Sequence, residues 1–528
     1  MTKEIIILGG GISGLSAAYN LIDKGFNVTV IEKNNNYGGQ SRSIEHGRCS
    51  IEYAWRVWTS YYDNFLNICR NIKIDDKRSI FDNFVSCCGS NQYKRVSKGA
   101  KGSIGRGFSG NAILNINRWE DKKEYYNLAS KLIGMVLMSD EHLQKDDMSF
   151  MDYIDSDYGP TLDFCYEMVG PVIGVEATKA TLFNVSKGWQ TTYFESEIFS
   201  KNRKIYVTNA PYNDAIFKHW VDYLEKKGVK LLNNTTIKQI NYNRDINKII
   251  SVDTEKDTIK GDEFIVCLDQ TAISKLITGD LENIPSLERV KELAEYGNQY
   301  YFGMLFFLND DLDATFDSGC CNEQPWKPVI QRYNSVWEEK WIKRCKSKEI
   351  WQLSVLNLVK GHNGKILQDC SVKEILEEIF LQMRRSELIK GFRTKDGKTF
   401  WDIVEHWEIW PFWDDKNGKL YNTIDEYKLS INKGCRERMP DFKSDIKNMY
   451  FGSVIAKNDM PMISQEMACT NGLIASNLIC TKYKKTPMKV TEHKGTASIA
   501  LYPIRQIDKC LFKMGLDINP LYILVAII

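Results

Sequence analysis

The amino-acid sequence predicts an α/β fold built around a parallel sheet, and three features carry that expectation. Glu4 to Leu8 is a continuous apolar run, as a central parallel strand buried on both faces requires. A glycine turn, an amphipathic helix and a second apolar strand follow at once. The length, 528 residues, exceeds what one hydrophobic core supports and predicts at least two domains.

Taken in order, the first unit is a strand, a turn and a helix. Gly9, Gly11 and Gly14 supply a GxGxxG pattern: the first permits a tight turn, the second lets backbone approach a pyrophosphate, and the third lets helix and strand pack closely. Leu15, Ala17, Ala18, Leu21 and Ile22 then recur at helical spacing and stop at Gly25. The N–H groups of Ile12 and Ser13, at the start of that helix, are placed to face an anion. The strand Asn27 to Ile31 ends at Glu32 and Lys33, where a carboxylate accepts hydrogen bonds from ribose hydroxyls and disfavours a 2′-phosphate. Strand, helix and acidic residue in register make this a Rossmann-like dinucleotide-binding unit.

Further along, residues 94–110 read as a lysine- and glycine-rich surface loop. Ala215 to Lys227 has a helical rhythm, Gly228 ends it, and apolar strands are expected at Val229 to Leu232, from Ile237, and at Glu263 to Leu268. Tyr300 to Leu308 is a long apolar strand, Asn448 to Gly452 a short one, and Gln465 to Ile479 a helix.

Composition narrows the function. Seventy basic and 68 acidic residues leave a net charge of +2, which favours no nucleic acid. Six histidines, none at ligand spacing, predict no metal site. Fourteen scattered cysteines and the lack of a signal peptide predict reduced thiols and a cytoplasmic setting. No apolar run is long enough to cross a bilayer; Pro520 to Ile528 is either an element end packed on the body or a peripheral membrane contact.

A second glycine turn, Tyr37-Gly38-Gly39-Gln40-Ser41-Arg42, follows close behind Glu32. With it the N-terminal region resembles the flavin amine oxidase and phytoene desaturase superfamily, in the desaturase-like branch that includes hydroxysqualene dehydroxylase. The resemblance continues at Glu52-Tyr53-Ala54-Trp55-Arg56 with Tyr61-Tyr62, at Ala210-Pro211-Tyr212-Asn213, and at Tyr450-Phe451-Gly452-Ser453 with Glu466-Met467-Ala468. It implies non-covalent FAD. The second turn runs under the pyrophosphate, Ile237 and Thr236 present backbone to the adenine, and Gly452, Ser453, Glu466, Met467 and Ala468 face the ribityl chain and flavin. Gln40 stands where many members have arginine, so Arg42 is expected to meet phosphate or flavin; Ser453 stands where an aspartate is usual.

The resemblance also implies a GR2-type parallel sheet assembled from 1–75, 205–275 and 440–485, an α+β substrate domain with a mixed sheet from 76–204 and 276–439, and a C-terminal extension, 486–528. Glu52, Arg56 and Tyr62 are candidates near the flavin, either for catalysis or as a structural ion pair, with Arg56 orienting an anionic or polar substrate end and Glu52 holding that arginine. The aromatics around His406, Trp407, Trp410, Phe412 and Trp413 either line a tunnel or pack as core.

Amine oxidases of the superfamily carry a lysine near flavin N5, but Gly297 to Met304 has none. The expected reaction is therefore hydride transfer from a small, apolar, isoprenoid- or lipid-like substrate to flavin, with an unidentified electron acceptor. Oxidation of an amine, and a structural or regulatory FAD-binding role, are the alternatives.

Overall fold

Five parallel strands form the centre of the cofactor-side layer. In chain order they and two helices are β1 (Lys3–Leu8), α1 (Ile12–Leu21), β2 (Phe26–Ile31), β3 (Lys230–Leu232), β4 (Glu263–Val266), β5 (Met449–Phe451) and α2 (Gln465–Lys482). The sheet order is β5-β4-β1-β2-β3, every neighbouring pair is parallel, and the strands come from three separated stretches of sequence. The computed structural model describes residues 2–54, 56–59, 61–86, 120–145, 148–173, 175, 177–190, 205–313, 318–321, 323–356, 359–460, 462–492 and 501–527. The expected loop 94–110, Cys87, Cys88 and Trp55 lie outside the described residues.

The alternation of a strand explains why β1 is apolar throughout. Ile5 and Ile7 face a layer holding Leu15, Ala18 and Leu473 from α1 and α2, whereas Ile6 and Leu8 face the opposite layer, with Ile273, Leu287 and Met467. Each isoleucine buried in this way contributes about 1.5–3 kcal/mol. After α1 a 3-10 turn, Ile22–Lys24, carries the chain to Gly25, which closes the helical stretch with φ 77°.

The second sheet runs in the order Ser318–Cys320, Val329–Arg332, Glu349–Leu356, Tyr301–Leu308, Val404–Ile409. All its pairings are antiparallel, not mixed as expected. Ser318–Cys320, Val329–Arg332 and Glu349–Leu356 follow one another as sheet neighbours, and antiparallel pairing needs no crossover helix. The thiols also depart from expectation: Cys49 and Cys345 form a disulfide across 296 residues of sequence, with Cα atoms 4.8 Å apart.

A helical layer, including Lys122–Leu137 and Leu182–Trp189, receives the C-terminal helices Tyr502–Lys513 and Pro520–Ile527. The last of these packs beside Lys122–Leu137 but leaves Tyr522 and Val525 64% and 67% exposed. No helix among the described residues is long and apolar enough to cross a membrane. His142 is the polar anchor of the contact. It is buried, stacks on Phe512 at 4.5 Å, and lies between Asp508 (Nδ1 to Oδ1, 2.8 Å) and Asp517 (Nε2 to Oδ1, 2.9 Å). Burial opposes its protonation, but the two carboxylates outweigh burial and raise its pKa.

A histidine whose folded pKa is raised adds stability that is fully present below its ordinary pKa, about 6.5, and is lost as pH rises through the folded value. Limited proteolysis across that range should therefore cut the C-terminal helices faster as pH rises. His142→Ala should be cut fast at every pH, and a wild-type cleavage rate independent of pH would contradict the assignment.

Candidate functional site

The strand ends carry the site. A cavity of about 600 Å³ opens where β1, β2, β4 and β5 finish, lined among others by Gly9, Gly11, Ile31, Glu32, Cys267 and Ser453. This is where a doubly wound sheet binds its ligand. The two glycine turns are stitched together by Gly38 N–H donating to the Gly10 carbonyl at 2.9 Å, and Gly9 N–H donates to the Ile31 carbonyl at 2.9 Å.

Helix α1 begins at Ile12 behind Gly11, with no side chain capping its first turn. Ile12 and Ser13 line the cavity, so the first-turn N–H groups, which have no carbonyl of their own helix to bond, lie at its wall. Gly14 is set one layer back, where a methyl group would stand 2.0 Å from the Gly9 carbonyl oxygen. The second helix pointing at the cavity is α2, which Ser464 caps by accepting from Met467 N–H at 3.1 Å; Ser464, Gln465 and Ala468 line the wall.

Glu32 is buried at the end of β2. Its carboxylate accepts from Gly10 N–H at 2.9 Å and from Asn34 N–H and Nδ2 at 2.9 and 2.8 Å, and burial raises its pKa against those bonds. Lys33, Gly38, Gly39, Gln40, Ser41, Thr236 and Ile237 share the same cavity.

Several residues stand elsewhere than expected. Arg42 is 1% exposed and does not line the cavity: Nη1 donates to Glu426 at 3.0 Å and to the Gly39 carbonyl at 2.8 Å, and the guanidinium lies 5.5 Å from the Trp410 ring. Its charge is neutralised inside the protein. Glu466 is also turned inward. It accepts from Asn64 N–H (2.8 Å) and Phe65 N–H (2.9 Å) and so serves the start of the helix Asp63–Asn71. Met467 is fully buried core, and Gly452 packs against Ile265, where a methyl group would come within 2.8 Å.

Glu52 does not hold Arg56. Its oxygens accept from Tyr333 OH at 2.6 Å and Tyr212 N–H at 3.1 Å, and burial pushes its pKa up to about 7. Arg56 instead donates from Nη2 to the Gln40 carbonyl at 2.6 Å, and Arg56 and Tyr62 both line the cavity. The aromatic cluster is mainly core: Trp410 and Trp413 are buried behind Tyr53, at ring distances of 5.8 and 6.1 Å. His406 is half exposed, and its Nε2 lies 3.2 Å from the Glu408 carboxylate.

Tyr53, Tyr301, Tyr427, Lys428 and Asp269 line the cavity without having been singled out in the sequence. Asp269 caps Ala272 N–H at 2.8 Å, and burial pushes it up to about 6. Lys428 lies on the two-residue strand Lys428–Leu429, opposite Gln299 of Asn298–Gln299. A lysine thus does stand beside the 297–304 stretch, supplied by a different strand. Burial and the Arg56 charge push its pKa down to about 8. Among the described residues no cluster suits a metal ion.

Comparison with known proteins agrees with this geometry. Residues 7–72 match the family of NAD(P)-binding Rossmann-like domains. The same end is similar to the 4,4'-diaponeurosporene oxygenase of Staphylococcus haemolyticus, 49% identical over 67 residues, which is 12% of this chain and 13% of that protein. The chain thus spans about an eighth of the length of the curated relatives it matches. Over most of its length it shares a fold with a putative protoporphyrinogen oxidase from Exiguobacterium sp. 255-15 (TM-score 0.58, 12% identity, 91% of this chain and 99% of that one). A putrescine oxidase triple mutant is equally similar (TM-score 0.60, 12% identity, 91% and 99%). At this identity the solved structures show the fold alone, an α/β chain with a Rossmann-like parallel sheet.

The Arg42–Glu426 pair makes the strongest demand on this site. Removing one partner strands a buried charge, so Arg42→Met should destabilise the protein by about 3–5 kcal/mol in urea unfolding, and adding Glu426→Gln should recover a large part of that loss. Equal losses in the single and double variants would contradict the pairing.

Proposed function

We propose that the chain is an FAD-dependent oxidoreductase acting on an apolar substrate. One observation carries the reading: the N-termini of α1 and α2, both glycine turns and Glu32 open into a single cavity that Tyr53, Tyr62 and Tyr301 also line. A dinucleotide of FAD's length suits such a path, and the residues present fit it. Gly9, Gly11, Ile12, Ser13 and the turn Gly39 to Ser41 would hold the pyrophosphate. Glu32, with Lys33 beside it, would accept the ribose hydroxyls, and Thr236 and Ile237 would meet the adenine. Ser453, Gln465 and Ala468 would face the ribityl chain and ring system, with the dipole of α2 directed at the ring.

When bound, FAD supplies a two-electron acceptor that takes hydride from a substrate carbon and is re-oxidised by an acceptor outside the chain. The chain's own residues orient the substrate and exclude water. Tyr62 is buried, with a pKa raised well above the ordinary value by that burial, so its hydroxyl stays protonated and donates hydrogen bonds. Amine oxidation is disfavoured by the cations Arg56 and Lys428 on the cavity wall, which repel an ammonium group.

The purified protein should be yellow and release intact FAD on denaturation. Glu32→Ala should weaken FAD binding by about 10- to 100-fold, the worth of hydrogen bonds to a charged group. A protein that stays colourless after incubation with FAD would sink the proposal.

A further inference from the structure

We propose that the C-terminal helices Tyr502–Lys513 and Pro520–Ile527 form a docking surface for an anionic phospholipid bilayer, on which the protein rests without crossing it. None of their residues lines the cavity at the strand ends, so the surface stands whether or not that cavity holds FAD. Apolar exposure is concentrated here. Of the fourteen large apolar side chains exposed among the described residues, seven fall between 502 and 525: Tyr502, Ile507 and Met514 on or just after the first helix, Leu516 and Ile518 in the connection, Tyr522 and Val525 on the last helix. Tyr126 and Ile133 add two more from the neighbouring helix Lys122–Leu137. Scattered exposed apolar residues are ordinary, but a concentration of this kind marks a contact site.

The first of the two helices is held to the body by its charged side. Arg505 and Asp508 are buried: Arg505 donates from Nε to the Met138 carbonyl at 2.9 Å and from Nη2 to Asp140 at 2.6 Å, and Asp508 accepts from Ser139 N–H at 2.7 Å and meets His142 at 2.8 Å. Its apolar residues recur at 504, 507, 511 and 514, which is one stripe of a helix. Of these only Ile504 is buried; Ile507 and Met514 are exposed, Met514 to 74%. A surface helix in water does the opposite, with its apolar stripe against the core and its charges outside. The observed arrangement suits an apolar medium on the outer side, as for a helix lying at the boundary of headgroups and acyl chains.

The charges select the partner. Asp508 and Asp517 are the acids of the stretch, and both are bonded to His142, with Lys145 also on Asp517. Lys513 is exposed next to Met514, and Lys509, one turn earlier, holds Glu141. A lysine among exposed apolar side chains keeps its stem with them and extends its ammonium to headgroup phosphates. Tyrosine, with an apolar ring and a polar tip, belongs at the same depth, and Tyr502 and Tyr522 are both exposed. A second copy of the chain fits less well, because a two-fold contact would bring Lys513 against a stretch whose acids are already bonded. The eight residues of Pro520–Ile527 are too few to cross a bilayer, so this helix lies on it.

The test floats the whole protein with vesicles of phosphatidylcholine alone and with vesicles of equal parts phosphatidylcholine and phosphatidylglycerol. The protein should rise with the mixed vesicles and bind phosphatidylcholine at least about fivefold more weakly, the effect of one lysine at a charged surface. Met514→Ser combined with Val525→Ser should weaken binding to the mixed vesicles at least about tenfold, because both side chains leave water on docking. Leu516→Ser combined with Tyr522→Ser should do the same, and Lys513→Gln should cost about fivefold on the mixed vesicles only. All five side chains are exposed, so the melting temperature should stay at the wild-type value. Absence of binding to either vesicle would overturn the inference, as would equal binding to both or wild-type binding by the two double variants. A wild-type protein that sediments as a dimer, and as a monomer once Met514 and Val525 are replaced, would overturn it in favour of self-association.

Discussion

Helix α1 lies against backbone on two sides, and the arrangement of the cavity at the strand ends depends on that close approach. On one side a methyl group at Gly14 would stand 2.0 Å from the Gly9 carbonyl oxygen; on the other, a methyl group at Gly472 would stand 2.1 Å from the Ser13 carbonyl oxygen. Only two missing side chains let α1 touch β1's turn and α2 together. Farther along, Asn20 Nδ2 donates to Ser476 Oγ at 2.7 Å and to Asn477 Oδ1 at 2.9 Å, so the two helices stay in register. Because α1 and α2 are fixed to one another, both N-termini reach the same cavity. Glu466 extends this arrangement by tying α2 to the start of Asp63–Asn71, which places Tyr62 at the wall.

Charge is distributed by the same logic. A buried ion pair is expensive to desolvate, and Arg42–Glu426 is retained at a point where it joins two walls of the cavity. Arg42 closes the second glycine turn through the Gly39 carbonyl, and Glu426 lies two residues before Lys428. The pair therefore ties the turn that carries Gln40 to the stretch that leads into Lys428. Tyr333, Tyr212 and Glu52 form a separate hydrogen-bonded group behind Arg56, which leaves the arginine facing the cavity instead of its sequence neighbour.

The first unit of the fold was legible because it is local. The β1–α1–β2 unit is written in apolar periods, three glycines and one acid within thirty-two residues, and each of those signals acts on its neighbours. The parallel sheet was legible for the same reason, and the cavity gathers Gly9, Gly11, Ile12, Ser13, Glu32 and the second turn as their spacing suggests. What escaped depends on partners far along the chain. Arg42 was expected at a phosphate because nothing near it in sequence reveals Glu426, 384 residues away. Glu466 was expected at the flavin although its partner, Asn64, lies 402 residues earlier. Lys428 belongs to a strand of two residues, too short for any periodicity to mark it. The antiparallel second sheet and the Cys49–Cys345 disulfide are likewise tertiary facts, with no local pattern that announces them.

Hydrogen exchange with and without added FAD measures the central claim directly, that three separated stretches of sequence meet on one cofactor. Slowed exchange at 9–14 and 38–42, together with 235–237 and 453–468, is the predicted result. Protection confined to the first two stretches, with the last two unchanged, would contradict it.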